Sequence, residues 1–191
     1  EFDSGDGLRA FAAVAGQQPI AVYVTAGGDA IVGTRVDSRG NERDAMQLQE
    51  LVAKPMGDRI WSQLESSEWV LDGSPDAPRV IYTFTDPNCP FCNQLWHESR
   101  PWVDAGKVQL RHVMVGVIKQ DSANKVATIL SADDPSTRLA ENERAFRQGG
   151  VPVAATVPAN IRRTLNANHM LMMELGFRGT PALVFRDEDG S

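Results

Sequence analysis

Apolar and polar residues alternate at two different periods along this chain, and the places where the period switches mark its elements. Residues 20–25 and 30–36 read as strands, with the turn residues Ala26-Gly27-Gly28-Asp29 between them and Ser38-Arg39-Gly40-Asn41 after them. A hairpin of that kind is marginal in water. The first forty residues are therefore expected to form a small antiparallel β unit that pairs with more sheet or with another subunit. From residue 44 the period lengthens. Leu48, Leu51 and Val52 recur at helical spacing, and Pro55 is expected to end or kink that helix. Ile60, Trp61 and Leu64 carry a second helical segment toward Trp69. Asp72-Gly73-Ser74-Pro75-Asp76-Ala77-Pro78 is dense in turn residues and reads as the boundary of a second domain.

Beyond residue 79 the order is strand, helix, strand, helices, strand. Val80-Ile81-Tyr82-Thr83-Phe84-Thr85-Asp86 reads as a buried strand, residues 91–105 as a helix and residues 108–117 as a second strand. Ala123, Val126, Ala127 and Leu130 fall on one face of an amphipathic helix. Asp134-Pro135 fits the N-cap and first position of another helix running toward Gln148, which Gly149-Gly150 ends. Ile161, Leu165, Asn168, Met172 and Leu175 trace a later helical stripe stopped by Gly176. Ala182-Leu183-Val184-Phe185 is a short final strand, and Asp187-Glu188-Asp189-Gly190 reads as the turn after it.

Chemistry concentrates at one place. Cys89-Pro90-Phe91-Cys92 holds both cysteines of the 191 residues, where a strand runs into a helix. Two thiols so placed can open and close one disulfide, and a strand entering a Cys-x-x-Cys helix is the form of a thioredoxin-like redox site. Cys89 is expected at the helix N-terminus, where unpaired backbone N–H groups and the dipole favour a thiolate. Pro90 suits the first turn because its missing N–H costs nothing there. Cys92, one turn further in, is expected to be more buried and less reactive. Cys89 is thus the attacking thiol and Cys92 the resolving one, and Phe91 adds no positive charge between them. The alternatives are an inert short disulfide and a zinc site. A closed zinc site usually needs four ligands, and only the scattered His97, His112 and His169 remain. No metal or other cofactor is expected.

Composition narrows the setting. The chain is 42% hydrophobic and 23% charged, enough for a real core, and its net charge of -6 argues against non-specific nucleic-acid or anionic-membrane binding. No apolar run approaches the roughly 18 residues that span a bilayer. Glu1-Phe2-Asp3-Ser4-Gly5 has no basic or apolar leader character, so a signal peptide is expected to be absent, as in a mature secreted chain. Trp61, Trp69, Trp96 and Trp102 are expected to pack in the core or linker, and Met170, Met172 and Met173 along a helix. Asp133-Asp134 is expected to be a solvated turn, and His97 lies too far along the helix to act on Cys89.

Gly179-Thr180-Pro181-Ala182 just before the last strand completes the pattern. With Cys89-Pro90-Phe91-Cys92 it resembles the thioredoxin superfamily, in which a cis-proline loop faces the thiol pair and offers backbone hydrogen bonds to an extended substrate. Trp69-Val70-Leu71-Asp72-Gly73 and Phe84-Thr85-Asp86-Pro87-Asn88 narrow the resemblance to the DsbC/DsbG disulfide-isomerase family. Residues 100–111, Val115-Gly116-Val117-Ile118-Lys119 and Val157-Pro158-Ala159-Asn160 sharpen it to the DsbG branch, over most of the chain.

The resemblance implies an α+β fold: a small β-rich dimerisation domain over 1–44, a linker helix over 45–71 and a thioredoxin-like domain with a helical insertion over 72–191. It implies a periplasmic V-shaped homodimer that acts on unfolded or oxidised proteins and is kept reduced by the membrane reductase DsbD. Its activity would be disulfide isomerisation or reduction, with reduction of cysteine sulfenic acids in DsbG-like members. Thr180 and Pro181 would bind substrate, while Pro90 and Phe91 tune the thiols. A DsbA-like oxidant and a chaperone-like binding module are the rival functions. Three departures stand out. Phe91 replaces a tyrosine, and Thr83 stands where thioredoxin carries a buried acid, leaving no evident proton acceptor for Cys92. The family fold would also continue with a strand and a helix after Phe185, and its first domain would extend further, so the chain is expected to be incomplete at both ends.

Overall fold

The computed structural model describes residues 1–187 apart from Asp6 and Gln17, so the expected turn at Asp187-Glu188-Asp189-Gly190 falls, from Glu188 onward, outside the described residues. The chain divides into two compact units, Glu1–Gln63 and one beginning at Leu64.

The first unit is a four-stranded antiparallel sheet in the order β1 (Phe2–Asp3), β2 (Arg9–Ala15), β3 (Gln18–Val24), β4 (Ala30–Val32). The anticipated hairpin is β3–β4, with β4 ending at Val32 rather than at residue 36. β1 and β2 were not legible. β2 reads Arg-Ala-Phe-Ala-Ala-Val-Ala, whose alanines carry little strand preference; its full pairing with β3 makes it a strand. Ala10, Ala21 and Tyr23 form its small core, against which Phe2, Leu8 and Leu48 pack. A buried polar clasp closes this unit. The Tyr23 hydroxyl donates to Asp44 Oδ2 at 2.7 Å, and Arg35 donates to both Asp44 oxygens at 2.9 and 2.8 Å and to the Ser4 carbonyl at 2.6 Å. Burial and the neighbouring carboxylate push the Tyr23 phenol up to about 12.

Helix α1 (Ala45–Leu48) passes through a π-helical turn, Gln49–Ala53, into α2 (Lys54–Glu65). Pro55 therefore does not end the helix. It sits just past the widened turn, where the regular backbone bonding that proline would break is already interrupted. The helical segment stops at Glu65, short of Trp69.

The second unit is built on a mixed sheet in the order β5 (Val70–Asp72), β7 (Val108–Met114), β6 (Arg79–Thr85), β8 (Ala182–Phe185). β6 and β7 run parallel, joined through α3 (Pro90–Val103); β5 and β8 are antiparallel edges. Because β5 pairs with β7, the turn-rich segment expected as a domain boundary lies inside this unit, between two of its strands. Gly73 in that turn has φ of 106°, and a Cβ there would meet Val103 at 2.8 Å, so only glycine fits. Between β7 and β8 lies a helical insertion: α4 (Ser122–Leu130), α5 (Pro135–Arg144), a 3-10 turn at Phe146–Gln148 and α6 (Ala159–Glu174). Asp134 caps α5 through the Thr137 N–H at 3.1 Å, as its position before Pro135 suggests. The stripe Ile161, Leu165, Asn168 and Met172 is buried.

Not every apolar residue packs as its type suggests. Trp96 is buried beneath the Arg100 guanidinium, 4.1 Å from its ring, and Trp69 stands edge-on to Tyr82. Trp102, by contrast, is 55% exposed, and of the three methionines on α6 only Met172 is buried. Among the described residues no helix is long and apolar enough to cross a membrane.

One buried carboxylate joins these pieces. Asp86, fully buried at the end of β6, accepts from the Val117 and Ile118 N–H groups at 2.6 and 2.9 Å, the Asn88 N–H at 2.8 Å and the Ser122 hydroxyl at 2.8 Å. It ties the turn before Cys89 to the segment leading from β7 into α4. Asp86→Ala orphans all four donors, so urea unfolding of the variant should show a loss of about 2–4 kcal/mol.

Candidate active site

Strand β6 delivers the chain into the sheet interior, and the turn Asp86-Pro87-Asn88 reverses it so that Cys89 becomes the N-cap of α3, with extended backbone at φ -82° and ψ 115°. Pro90 occupies the first helical turn without loss, because its missing N–H has no partner to make there. The Cys92 N–H donates to Cys89 Sγ at 3.3 Å, so the sulfur takes the place a capping serine oxygen would. The loop before β8 reaches the same end of the sheet, since Ala182 at the start of β8 pairs with Phe84 near the end of β6. Its Thr180–Pro181 bond is cis, and the Cys89 thiol donates to the Thr180 carbonyl at 3.3 Å. Cys89, Pro90, Cys92, Thr180 and Pro181 thus converge. Phe91, between the thiols, turns outward and is 67% exposed.

Both cysteines are free thiols. Neither sulfur is open to solvent, Cys89 being 2% exposed and Cys92 3%, but Cys92 lies the deeper of the two, as expected one turn further into the helix. Electrostatics separates them further. The Cys89 thiol is lowered from 9.0 to about 6, first by the hydrogen bond from the Cys92 side chain, which outweighs the opposing effect of burial. The Thr180 side chain and the backbone amides of Cys92 and Phe91 lower it further. Cys92 moves the other way, because it holds its proton toward Cys89 and is itself desolvated. One sulfur is a thiolate near neutral pH and its neighbour is not.

Several residues that hold this arrangement carried no recognisable signal. Asn88 donates to Asp121 and to Ser122 at 2.9 and 3.0 Å and accepts from the buried Lys125 ammonium at 2.7 Å; Lys125 also donates to the Gly149 carbonyl at 2.6 Å. Asn142 donates to the Pro87 carbonyl at 3.1 Å. On the next turn of α3, Asn93 donates to Glu143 Oε2 and to the Glu143 carbonyl, both at 2.8 Å. Beneath the site, Thr83 pairs in register with His112, whose Nδ1 lies 2.8 Å from the Thr85 hydroxyl. Asp72 takes both arms of Arg100 and faces His112. Burial alone would raise its carboxyl, but the hydrogen bonds from His112 and Arg100 hold it below its ordinary value. These partners lie far apart in sequence, and only the aspartate-to-asparagine run before Cys89 hinted at them.

The depressed Cys89 value has a signed consequence. The rate of its alkylation by iodoacetamide should rise through a midpoint near pH 6 and level off above pH ~7.5, whereas a midpoint near the free value of about 8.5 would contradict the geometry. Because the folded value lies below the unfolded one, reduced protein should gain stability over Cys89→Ser above pH ~9 and lose that gain as pH falls through about 6.

Comparison with known proteins accords with this construction. Residues 74–191 match the family model of a thioredoxin-like domain. Among curated proteins, the chain is 42% identical to the thiol:disulfide interchange protein DsbG of Pseudomonas aeruginosa, over 99% of this chain and 74% of that protein. It is 35% identical to the protein of the same name from Escherichia coli, over the whole of this chain and 77% of that one. Among solved structures, the catalytic domain of Proteus mirabilis ScsC superposes with a TM-score of 0.56 at 22% identity, covering 68% of this chain and 84% of that one, a likeness of fold. Sequence identity of this extent reaches well beyond the Cys-x-x-Cys helix, and the chain belongs to the DsbG branch of the DsbC/DsbG family.

Proposed function

We propose that this protein is a periplasmic thiol–disulfide interchange enzyme of the isomerase and reductase type, with Cys89 as its nucleophile and Cys92 as its resolving thiol. The observation that carries this reading is the split between the two sulfurs: Cys89 is lowered to about 6 while its hydrogen-bonding partner Cys92 is raised. The Cys89 thiolate attacks one sulfur of a substrate disulfide, forming a Cys89 mixed disulfide and expelling the other substrate sulfur as thiolate. Cys92 can then attack Cys89, releasing a reduced substrate and leaving the Cys89–Cys92 disulfide. Alternatively a second substrate thiol attacks the mixed disulfide, which rearranges the substrate with no net change in electrons. A cysteine sulfenic acid would enter by the same attack, losing hydroxide. Thr180 and Pro181 offer backbone to an extended substrate beside the sulfur, as the Thr180 carbonyl already does to Cys89.

Refolding of a scrambled disulfide substrate tests this. Cys89→Ser should abolish isomerisation, and Cys92→Ala should accumulate a covalent mixed disulfide resolvable on a non-reducing gel. A Cys89→Ser protein that still isomerises would sink the assignment. Redox titration separates this reading from a DsbA-like oxidant, whose potential lies near about -120 mV.

The N-terminal unit is proposed to dimerise the protein, with residues 45–71 as linker, and DsbD to return two electrons to the oxidised pair. Support for dimerisation lies in β4, an edge strand that exposes Ile31 and Val32, followed by the exposed Val36. An open apolar edge is a site for further strand pairing. Val32→Asp should therefore convert dimers to monomers in sedimentation velocity while leaving Cys89 alkylation unchanged. A parent chain that is already monomeric would count against this role.

A further inference from the structure

Asn88 immediately precedes the nucleophile, and every polar atom of its side chain has a partner. Its amide nitrogen donates to Asp121 Oδ1 at 2.9 Å and to Ser122 Oγ at 3.0 Å, and its carbonyl oxygen accepts from the Lys125 ammonium at 2.7 Å. We propose that Lys125 is a positioning residue for Cys89: its ammonium clamps Asn88 and thereby fixes the turn that sets the nucleophilic sulfur at the N-cap of α3. The proposal rests on the reading of Cys89 as the attacking thiol.

The placement of Lys125 calls for a role. It sits on α4 with the buried Val126, Ala127 and Ile129, and is itself 6% exposed. An ammonium so far from water is costly unless it is strongly bonded. Its acceptors are the Asn88 side-chain oxygen and the Gly149 backbone carbonyl, the latter at 2.6 Å, and neither is a carboxylate. An apolar stem would fill the same space without that desolvation. What the charge adds is strength, since a hydrogen bond from a charged donor is about twice as strong as a neutral one. Asp121 does the same at the other end of the amide. Both charged groups lie on a single turn at the start of α4, where the Lys125 N–H donates to the Asp121 carbonyl at 3.0 Å. With an anion on its N–H and a cation on its oxygen, the Asn88 amide is held in one orientation.

The clamp reaches the thiol through the backbone. The Asn88 N–H donates to Asp86 Oδ1 at 2.8 Å, and the Cys89 N–H donates to the Asp86 carbonyl at 3.0 Å, which closes the turn. The Cys89 carbonyl then accepts the first helical bond, from the Asn93 N–H at 3.1 Å. Asn142 holds the same turn one residue earlier by donating to the Pro87 carbonyl. The groups that favour the Cys89 thiolate are the Cys92 side chain, the Thr180 side chain and the amides of Cys92 and Phe91. All of them require the sulfur to stand at the cap, so Lys125 acts through the turn and not by its own field. The charged groups bonded to this turn are Asp86, Asp121 and Lys125. Without the ammonium, the Asn88 oxygen is left buried and unpaired, which frees the turn to rearrange.

Alkylation of the reduced chain by iodoacetamide, followed at Cys89 by mass spectrometry from pH ~4 to ~9, tests this. Lys125→Met keeps an unbranched stem and removes the charge. Its midpoint should lie at least about one pH unit above the parent's, toward the free value of about 8.5. Its attack on Ellman's reagent at pH ~6 should be slower by about fivefold, because a smaller share of the thiol is ionised. Asn88→Ala should move the midpoint in the same direction. The double variant should move it no further than Asn88→Ala alone, because the lysine acts through that amide. A lysine that merely supports the fold would lower stability to urea and leave the alkylation midpoint in place, and that result overturns the proposal. So does a double variant whose shift is the sum of the two single shifts. Should Lys125→Met fail to fold, Asn88→Ala decides, because an unmoved midpoint in that variant also overturns it. A parent midpoint near about 8.5 would instead strike the reading of Cys89 as the activated thiol.

Discussion

Four donors converge on the carboxylate of Asp86, and the rest of the second unit is arranged so that they can. Two are successive backbone N–H groups of the segment after β7, one is the N–H of Asn88 and one is the hydroxyl that opens α4. A fully buried carboxylate is tolerable only when its lone pairs are occupied, so the path of the chain on both sides of it is dictated by that need. The same contacts set where α3 begins. Once Asn88 is held, Cys89 falls at the N-cap, and its sulfur is presented to the amide of Cys92. Close packing of Gly116 reinforces the arrangement, since a Cβ there would lie 2.9 Å from the backbone of Ala123.

From this constraint the chemistry follows. A helix N-terminus offers donors to an anion, but the largest single effect on Cys89 is the hydrogen bond from the Cys92 side chain. That bond needs both sulfurs inward and close, which explains why neither is open to solvent. On the proposed reading, Cys89 beneath the Thr180 loop would be protected from indiscriminate reaction, and an extended substrate pairing with this loop would bring its own sulfur to the thiolate. The Thr180 loop thus covers the sulfur, while its activation comes first from the Cys92 side chain and only secondarily from Thr180.

The strands and helices of the second unit were legible because their signals are local. Asp134-Pro135 marks a helix start, Gly176 a helix stop, and Cys89-Pro90-Phe91-Cys92 carries cap, first turn and both thiols within four residues. The difficulties arose where pairing at a distance overrides local preference. The alanine-rich β2 is a strand because β3 lies beside it, and the segment 72–78 is a turn between strands because β5 finds β7. Pro55 continues a helix because a π-helical turn precedes it. Trp102 shows the converse, a large apolar residue left in solvent because α3 ends one residue later.

The site was legible only as far as its own loops. Cys89, Cys92, Thr180 and Pro181 meet as their order along the chain suggests, whereas the groups that hold them come from the helical insertion. Helix α5 illustrates why. Its sequence Pro-Ser-Thr-Arg-Leu-Ala-Glu-Asn-Glu-Arg reads as a solvated surface helix, yet Asn142 and Glu143 are buried. On α4, Lys125 is buried beside the apolar face and spends its charge on Asn88 and the Gly149 carbonyl. Polar residues in such helices look like solvent-facing ones until the turn they support is known. A turn that carries unpaired carbonyls and a buried asparagine beneath a redox helix requires partners from elsewhere. The insertion supplies them, so its polar residues bear on the thiols as directly as its apolar face bears on the core.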